Sequence, residues 1–84
     1  MTDNNVSEHT KELVLQRIKE TDKTLGEIKE FFNSHAGEEI TDADGIREIT
    51  QLENVAKQLM VDLNVMKQFM LKVYGIFVFT ENGV

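Results

Sequence analysis

The sequence predicts an all-α protein, an antiparallel helical hairpin with heptad-spaced seams that self-associates into a four-helix bundle. Core-type residues recur at alternating steps of three and four in the second half of the chain, a shorter run of the same kind lies in the first half, and Pro is absent. Such spacing keeps one apolar seam on one face of a helix. The longer run is Ile49, Leu52, Ala56, Leu59, Leu63, Met66, Met70, Val73 and Phe77.

The shorter run predicts the first helix, over about residues 7–35. Its members are Val14, Ile18, Thr21, Leu25, Ile28 and Phe32, with charged and amide side chains on the other faces. Asn5 with Glu8, or Ser7 alone, is a candidate N-cap. Gly37 follows the loss of the period and suits the left-handed residue that commonly closes a helix.

A turn over about residues 36–41 separates this helix from the second, which we expect over about residues 42–79. Thr41 begins a run with Asp42 and Asp44 that offers an oxygen acceptor at the cap and carboxylates at the positive end of the helix dipole. A connection this short makes two long helices antiparallel, so residues 1–84 form one hairpin domain.

The segment from Val73 to Thr80 leaves two conformations open. Its β-branched and aromatic residues around Gly75 favour a strand at least as much as a helix. The heptad phase continues to Phe77, and it favours a helix that ends near Phe79. The alternative is an extended tail packing or pairing with a partner. We expect residues 81–84 to be frayed.

The second helix carries more apolar surface than one partner helix covers. Val61, Val65 and Phe69 recur on a face beside the seam, and apolar side chains at Met60, Leu71 and Val78 line the other flank. A surplus of this kind marks an interface, and a second copy of the hairpin is the simplest cover. The predicted homodimer interface is Leu59, Val61, Leu63, Val65, Met66, Phe69 and Met70.

A further protein partner would have to use the surfaces that dimerisation leaves open. Desolvated aromatic anchors contribute more affinity than solvated charges at a rim. Tyr74, Phe77 and Phe79, at the aromatic C-terminal end, are therefore the candidate partner-binding residues.

Charge and composition exclude several classes of function. The net charge is −6, and the acidic residues concentrate between Glu38 and Glu53. Because the nine Lys and Arg form no cluster, we expect no direct nucleic-acid binding. The apolar run from Phe69 to Phe79 covers about 11 residues, against roughly 20 for a membrane span. With no Cys and no apolar leader segment, the expected location is the cytoplasm.

No residue pattern predicts catalysis, a cofactor or a metal ion. Asp42-Ala43-Asp44-Gly45 resembles the centre of a calcium-binding loop, but Ile40 and Gln51 occupy positions where that loop needs carboxylates. His9 and His35 lie about 39 Å apart on a helix that rises about 1.5 Å per residue, so they cannot share a metal ion within one chain. Carboxylates on helix faces are normally solvated, and we expect no enzyme activity.

We therefore expect a non-enzymatic, self-associating adaptor or regulatory protein that acts through helix-mediated protein–protein contacts. The alternative is an acidic inhibitor that mimics nucleic-acid charge and blocks a basic groove on a partner protein.

Calcium and zinc should leave the melting temperature unchanged, because the sequence supplies neither ion with its usual ligand set. Thermal denaturation with and without each ion measures this. A saturable, stoichiometric stabilisation by either ion would contradict the interpretation of Asp42 and Asp44 as helix-start residues.

Overall fold

Two long helices packed against each other make up most of the chain, which confirms the helical hairpin. The computed structural model describes residues 3–82, with side chains for residues 8–82. Helix α1 is Asp3–Ser34 and helix α2 is Ala43–Phe69, and a π-helical turn, Met70–Tyr74, extends α2. The described residues contain no strand.

The connection between the helices is tied by short-range hydrogen bonds. The N–H of His35 donates to the carbonyls of Phe31 and Phe32, and the N–H of Glu38 donates to the carbonyl of His35. Gly37 has a left-handed φ of 90°, as predicted, but it is the third residue of the turn that the Glu38–His35 hydrogen bond closes and does not directly follow α1. The chain then reverses within a few residues, so α2 runs antiparallel to α1.

Helix α2 begins at an Asp cap one residue later than the predicted start. The side-chain Oδ2 of Asp42 accepts a hydrogen bond from the N–H of Gly45 at 2.9 Å, so Asp42 and not Thr41 is the N-cap. Helix α1 begins at Asp3, before the predicted start at residue 7. The proposed caps Asn5 and Ser7 therefore lie inside the helix.

The core lies along the two predicted seams. Ile18, Thr21, Leu25 and Ile28 of α1 are buried, together with Leu63 and Met70 from α2 and its π-helical extension. Val14, Ala56, Leu59 and Met66 pack against this core at intermediate burial.

The prediction that α2 continues to about Phe79 is wrong. The helix ends at Tyr74. The next residue, Gly75, adopts a left-handed φ of 68° and donates its N–H to the carbonyl of Leu71. A π-helical turn takes more residues than an α-turn, so the inward position moves from Val73 to Tyr74. Val73, a predicted seam position, is consequently exposed. Phe77, the last predicted seam position, lies beyond the helix and is also exposed.

Beyond the hairpin, residues 75–82 form an extended segment, here called the C-terminal arm. Ile76 and Val78 of the arm pack against the core, so the arm lies on the hairpin as a third layer. An extended tail is the alternative that the sequence left open, but this segment packs on its own hairpin and not with a partner.

The whole structure is a rod. Its principal extents are 59, 19 and 16 Å, and its radius of gyration is 16.7 Å, whereas a compact domain of this length has about 12 Å. A rod of two helices and one arm buries few side chains completely, so the free energy of unfolding depends on a small number of core residues.

Leu63→Ala should lower the free energy of unfolding by about 2–5 kcal/mol, because Leu63 is 1% exposed at the centre of the seam. Val55→Ala is the control on the same helix. Val55 is exposed, so its truncation should cost less than about 0.5 kcal/mol. Urea denaturation followed by circular dichroism measures both. Equally small changes in the free energy of unfolding at the two positions would contradict the assignment of Leu63 to the buried seam.

Candidate protein-interaction surface

The C-terminal arm has two faces that alternate residue by residue. Ile76, Val78, Thr80 and Asn82 are partly buried, whereas Phe77, Phe79 and Glu81 are exposed. Alternation of this kind is the pattern of a β-strand with one buried face. Because the inward residues touch the hairpin, the two phenylalanine rings point away from it.

Asp22 of α1 holds the end of the arm. Its carboxylate accepts the backbone N–H of Glu81 at 3.0 Å and that of Asn82 at 2.8 Å. The side-chain amide of Asn82 donates to the Asp22 carbonyl at 3.0 Å. Hydrogen bonds to a charged acceptor are the stronger kind, so these contacts, here called the Asp22 latch, fix the register of the arm on α1.

Two lysines and a glycine complete the attachment. Lys29 Nζ donates to the carbonyl of Asn82 at 2.8 Å, and Lys67 Nζ donates to the hydroxyl of Thr80 at 3.1 Å. Gly26 lies directly beneath Asn82, where an added Cβ would come within 2.7 Å of the side-chain nitrogen. The arm is therefore tied to α1 at its end and to α2 near its middle.

The aromatic side chains at this end form two separate pairs. Phe77 and Phe79 make an edge-to-face contact on the outer face of the arm, with ring centroids 4.9 Å apart. They are 64% and 85% exposed. Phe69 and Tyr74 make a similar contact at 5.9 Å, and Tyr74 also packs against the core. The Phe77–Phe79 pair is thus presented to solvent, while Tyr74 belongs partly to the fold.

A second apolar surface lies on the back of α2. Val61, Val65 and Phe69 are spaced four residues apart and are 56%, 60% and 37% exposed. Residues four apart lie one above the other on a helix, so these side chains form one continuous surface, here called the α2 stripe. It faces away from Leu63 and the core.

The structure divides the predicted homodimer interface into two groups. Leu63 and Met70 are buried within the single chain, and Leu59 and Met66 pack against them. Only Val61, Val65 and Phe69 of that set remain available to another molecule. Of the predicted partner-binding residues, Phe77 and Phe79 are exposed and Tyr74 is half-buried.

A cleft of about 600 Å³ lies at the turn end of the hairpin. Phe31, Phe32, Ile49 and Leu52 line it, and Glu38 and Glu48 lie among its polar residues. His35 Nδ1 lies 3.0 Å from Glu38 Oε1, and the His35 ring lies 4.6 Å from that of Phe31. The cleft is open to solvent, and its charged side chains are exposed.

The ion pairs of the described side chains lie on helix surfaces or at the turn. Lys11 Nζ lies 2.8 Å from Glu8 Oε2, and the hydrogen bond that Lys11 donates to the Glu8 carboxylate raises the pKa of Lys11. Arg47 and Asp44 are 3.2 Å apart in the first turns of α2. Solvent-exposed pairs of this kind contribute little to stability.

The described residues contain no group of three or more His, Asp or Glu side chains placed to hold a metal ion. Nor does any helix among them have the length and apolar character of a membrane span.

Sequence reasoning missed the residues that hold the arm. Residues 81 and 82 were expected to be frayed, but both donate backbone hydrogen bonds to Asp22. Gly83 and Val84, the rest of that expectation, lie outside the described residues. One available signal was Gly26, an unfavourable residue in a helix interior unless another group approaches closely. Another was the alternation of Ile76, Val78 and Thr80.

Comparisons with protein families, curated proteins and solved structures find no match to this chain.

Asp22→Asn should release the end of the arm, because it removes the negative charge that accepts two backbone N–H groups. Hydrogen exchange at the amides of Glu81 and Asn82 should become about tenfold faster or more, since a charge-assisted hydrogen bond contributes about 1.5–3 kcal/mol. Glu27→Gln is the matched control, on the exposed face of the same helix. Unchanged exchange at both amides in Asp22→Asn would contradict the latch.

Proposed function

We propose that this protein is a non-enzymatic, self-associating adaptor or regulatory protein whose contacts with other proteins are made by apolar surface outside its own core. The observation that supports the proposal is the α2 stripe, whose side chains project from the back of a helix already packed on its opposite face. Contiguous exposed apolar surface of this kind commonly marks protein-interaction sites.

The shape of the molecule supports self-association in particular. A rod of 59 by 19 by 16 Å has a long side on which the α2 stripe can lie against the same stripe of a second copy. A two-fold axis between two such rods would make the contact isologous and would place four helices side by side. Burial of Val61, Val65 and Phe69 would then add a second apolar layer to a chain with a small core of its own.

The adaptor role assigns the other exposed apolar surface, the Phe77–Phe79 pair, to recognition at one end of the rod. Aromatic residues are enriched among interface residues that contribute most to affinity. Two exposed rings held by the arm supply such anchors at low entropic cost, because the Asp22 latch already orders the segment that carries them.

The charge-mimic alternative rests on the acidic turn end. Glu38, Glu39, Glu48 and Glu53 are exposed there, and Arg47 is engaged by Asp44. In this second proposal the turn end would occupy a basic groove on a partner, and binding would weaken steeply with salt.

The melting temperature should rise with protein concentration, because a dimer is favoured by mass action. Val61→Glu with Val65→Glu should abolish this dependence, since it places charges on the contact surface without touching the core. Leu13→Glu is the control, because Leu13 is equally exposed but lies on the other helix. A concentration-independent melting temperature in the unmodified protein would contradict self-association.

Two double variants, one aromatic and one acidic, identify which surface binds the partner. Phe77→Ala with Phe79→Ala should weaken binding to a cellular partner by about 2 kcal/mol or more, as expected for aromatic anchors. Glu39→Gln with Glu53→Gln should change mainly its salt dependence. If the neutralised variant loses binding and the aromatic variant keeps it, the adaptor proposal is wrong and the charge-mimic proposal takes its place.

A further inference from the structure

Asn82 attaches the end of the C-terminal arm through its backbone and its side chain together. Its N–H donates to Asp22 Oδ1 at 2.8 Å, and its side-chain Nδ2 donates to the Asp22 carbonyl at 3.0 Å. Its own carbonyl accepts a hydrogen bond from Lys29 Nζ at 2.8 Å. The side chain lies over Gly26, where an added Cβ would come within 2.7 Å of Nδ2. The attachment therefore uses a side chain that donates, which an amide does and a carboxylate does not.

Asn82 is also the only asparagine in the sequence that is followed by Gly. An asparagine side chain can be attacked at Cγ by the backbone nitrogen of the next residue. A glycine at that next position favours the attack, because it has no Cβ to obstruct the approach and its backbone is conformationally permissive. Asn33, Asn54 and Asn64 lie within helices, whose backbone holds the next nitrogen away from the side chain. Among these residues, Asn82 is therefore the one open to this reaction.

We propose that Asn82 is a site of spontaneous deamidation, that the Asp22 latch restrains the reaction, and that the reaction in turn breaks the latch. The backbone nitrogen of Gly83 bonds to Cγ of Asn82, the Cγ–Nδ2 bond breaks, and ammonia leaves with the proton that the attacking nitrogen gives up. Water then opens either C–N bond of the resulting five-membered imide, which leaves aspartate or isoaspartate at position 82. This modification goes beyond the proposed function, since it acts on the arm and leaves the α2 stripe unchanged.

The closed arm restrains the reaction at both of the groups that take part. The leaving group, Nδ2, is held by the Asp22 carbonyl, and the peptide that carries the attacking nitrogen is held at its carbonyl oxygen by Lys29. Bringing that nitrogen to Cγ rotates both the peptide and the side chain of Asn82, so at least one of these hydrogen bonds has to break. The reaction therefore proceeds from the open arm, and its rate follows the fraction of molecules in which the arm is open.

The product cannot restore the attachment. A carboxylate at position 82 has no N–H, so it places an oxygen against the Asp22 carbonyl oxygen where a donor lay before. The Asp22 carboxylate lies close by, because it accepts the backbone N–H of the same residue, and like charges at this distance repel. Lys29 is exposed, so an ion pair with the new carboxylate would contribute little to stability. Deamidation thus opens the arm and releases the Phe77–Phe79 pair from its fixed orientation.

Peptide mapping by mass spectrometry, after incubation at neutral pH, tests the site. The mass gain that replaces an amide NH2 by OH should accumulate at Asn82 faster than at Asn33, Asn54 or Asn64. Gly83→Val should suppress it, because a β-branched neighbour is stiff and obstructs the attacking nitrogen. Deamidation that is no faster at Asn82 than at the helical asparagines, or that Gly83→Val leaves unchanged, would overturn the proposal.

Asp22→Asn tests the restraint, since it weakens the latch without changing the reacting residues. The deamidation rate at Asn82 should rise by the same factor as hydrogen exchange at the Asn82 amide, about tenfold or more, because both processes start from the open arm. Glu27→Gln, on the exposed face of the same helix, is the control and should leave both rates unchanged. A deamidation rate in Asp22→Asn equal to that of the unmodified protein would overturn the proposal.

Asn82→Asp tests the consequence, because it supplies one of the two products directly. Hydrogen exchange at the Glu81 amide, which donates to Asp22 Oδ2, should become about fivefold faster or more, as for the loss of one hydrogen bond. Asn54→Asp is the matched control, since it adds the same charge at an exposed position of α2 and should leave this exchange unchanged. If Glu81 exchanges as slowly in Asn82→Asp as in the unmodified protein, deamidation does not break the latch and the proposal is wrong.

Discussion

The structure depends on one geometric constraint: two packed helices can bury only one seam each. In this chain the buried seams consist of Ile18 and Leu25 on α1, and of Leu63 and Met70 on α2 and its π-helical extension. Apolar side chains off the seam, such as Val61 and Val65, have no place in that contact. Each remaining apolar residue therefore has to be covered by the arm, exposed to solvent, or buried by another molecule.

The arm meets part of this need with the chain's own residues. Gly75 turns it back along α1, and Ile76 and Val78 then add a third apolar layer beside the seam. The Asp22 latch secures the far end of the arm. Its hydrogen bonds join residues that are separated by 59 and 60 positions in the sequence. Covering one flank in this way has a consequence, since alternation along a strand puts Phe77 and Phe79 on the outside.

Periodicity predicted the hairpin because helix packing is a regular, repeated interaction. The seams through Leu25 and Leu63 and the left-handed Gly37 were all legible in the sequence. The end of α2 could not be predicted in the same way. The heptad phase continues to Phe77 and favours a helix, whereas Gly75 and the strand-forming residues around it favour an extended chain. The packing of the arm on the hairpin decides between the two conformations. The role of Asp22 could not be predicted for a related reason. The sequence alone indicates a solvated carboxylate on a helix flank, and only the folded arm brings distant backbone N–H groups to it.

The central proposal is that the apolar surface outside the core packs against a second copy of the chain. Sedimentation equilibrium of the unmodified protein over a range of concentrations tests it most directly. The account predicts a folded species of twice the 9.6 kDa chain mass that dissociates on dilution. A folded species of 9.6 kDa at every concentration would contradict it.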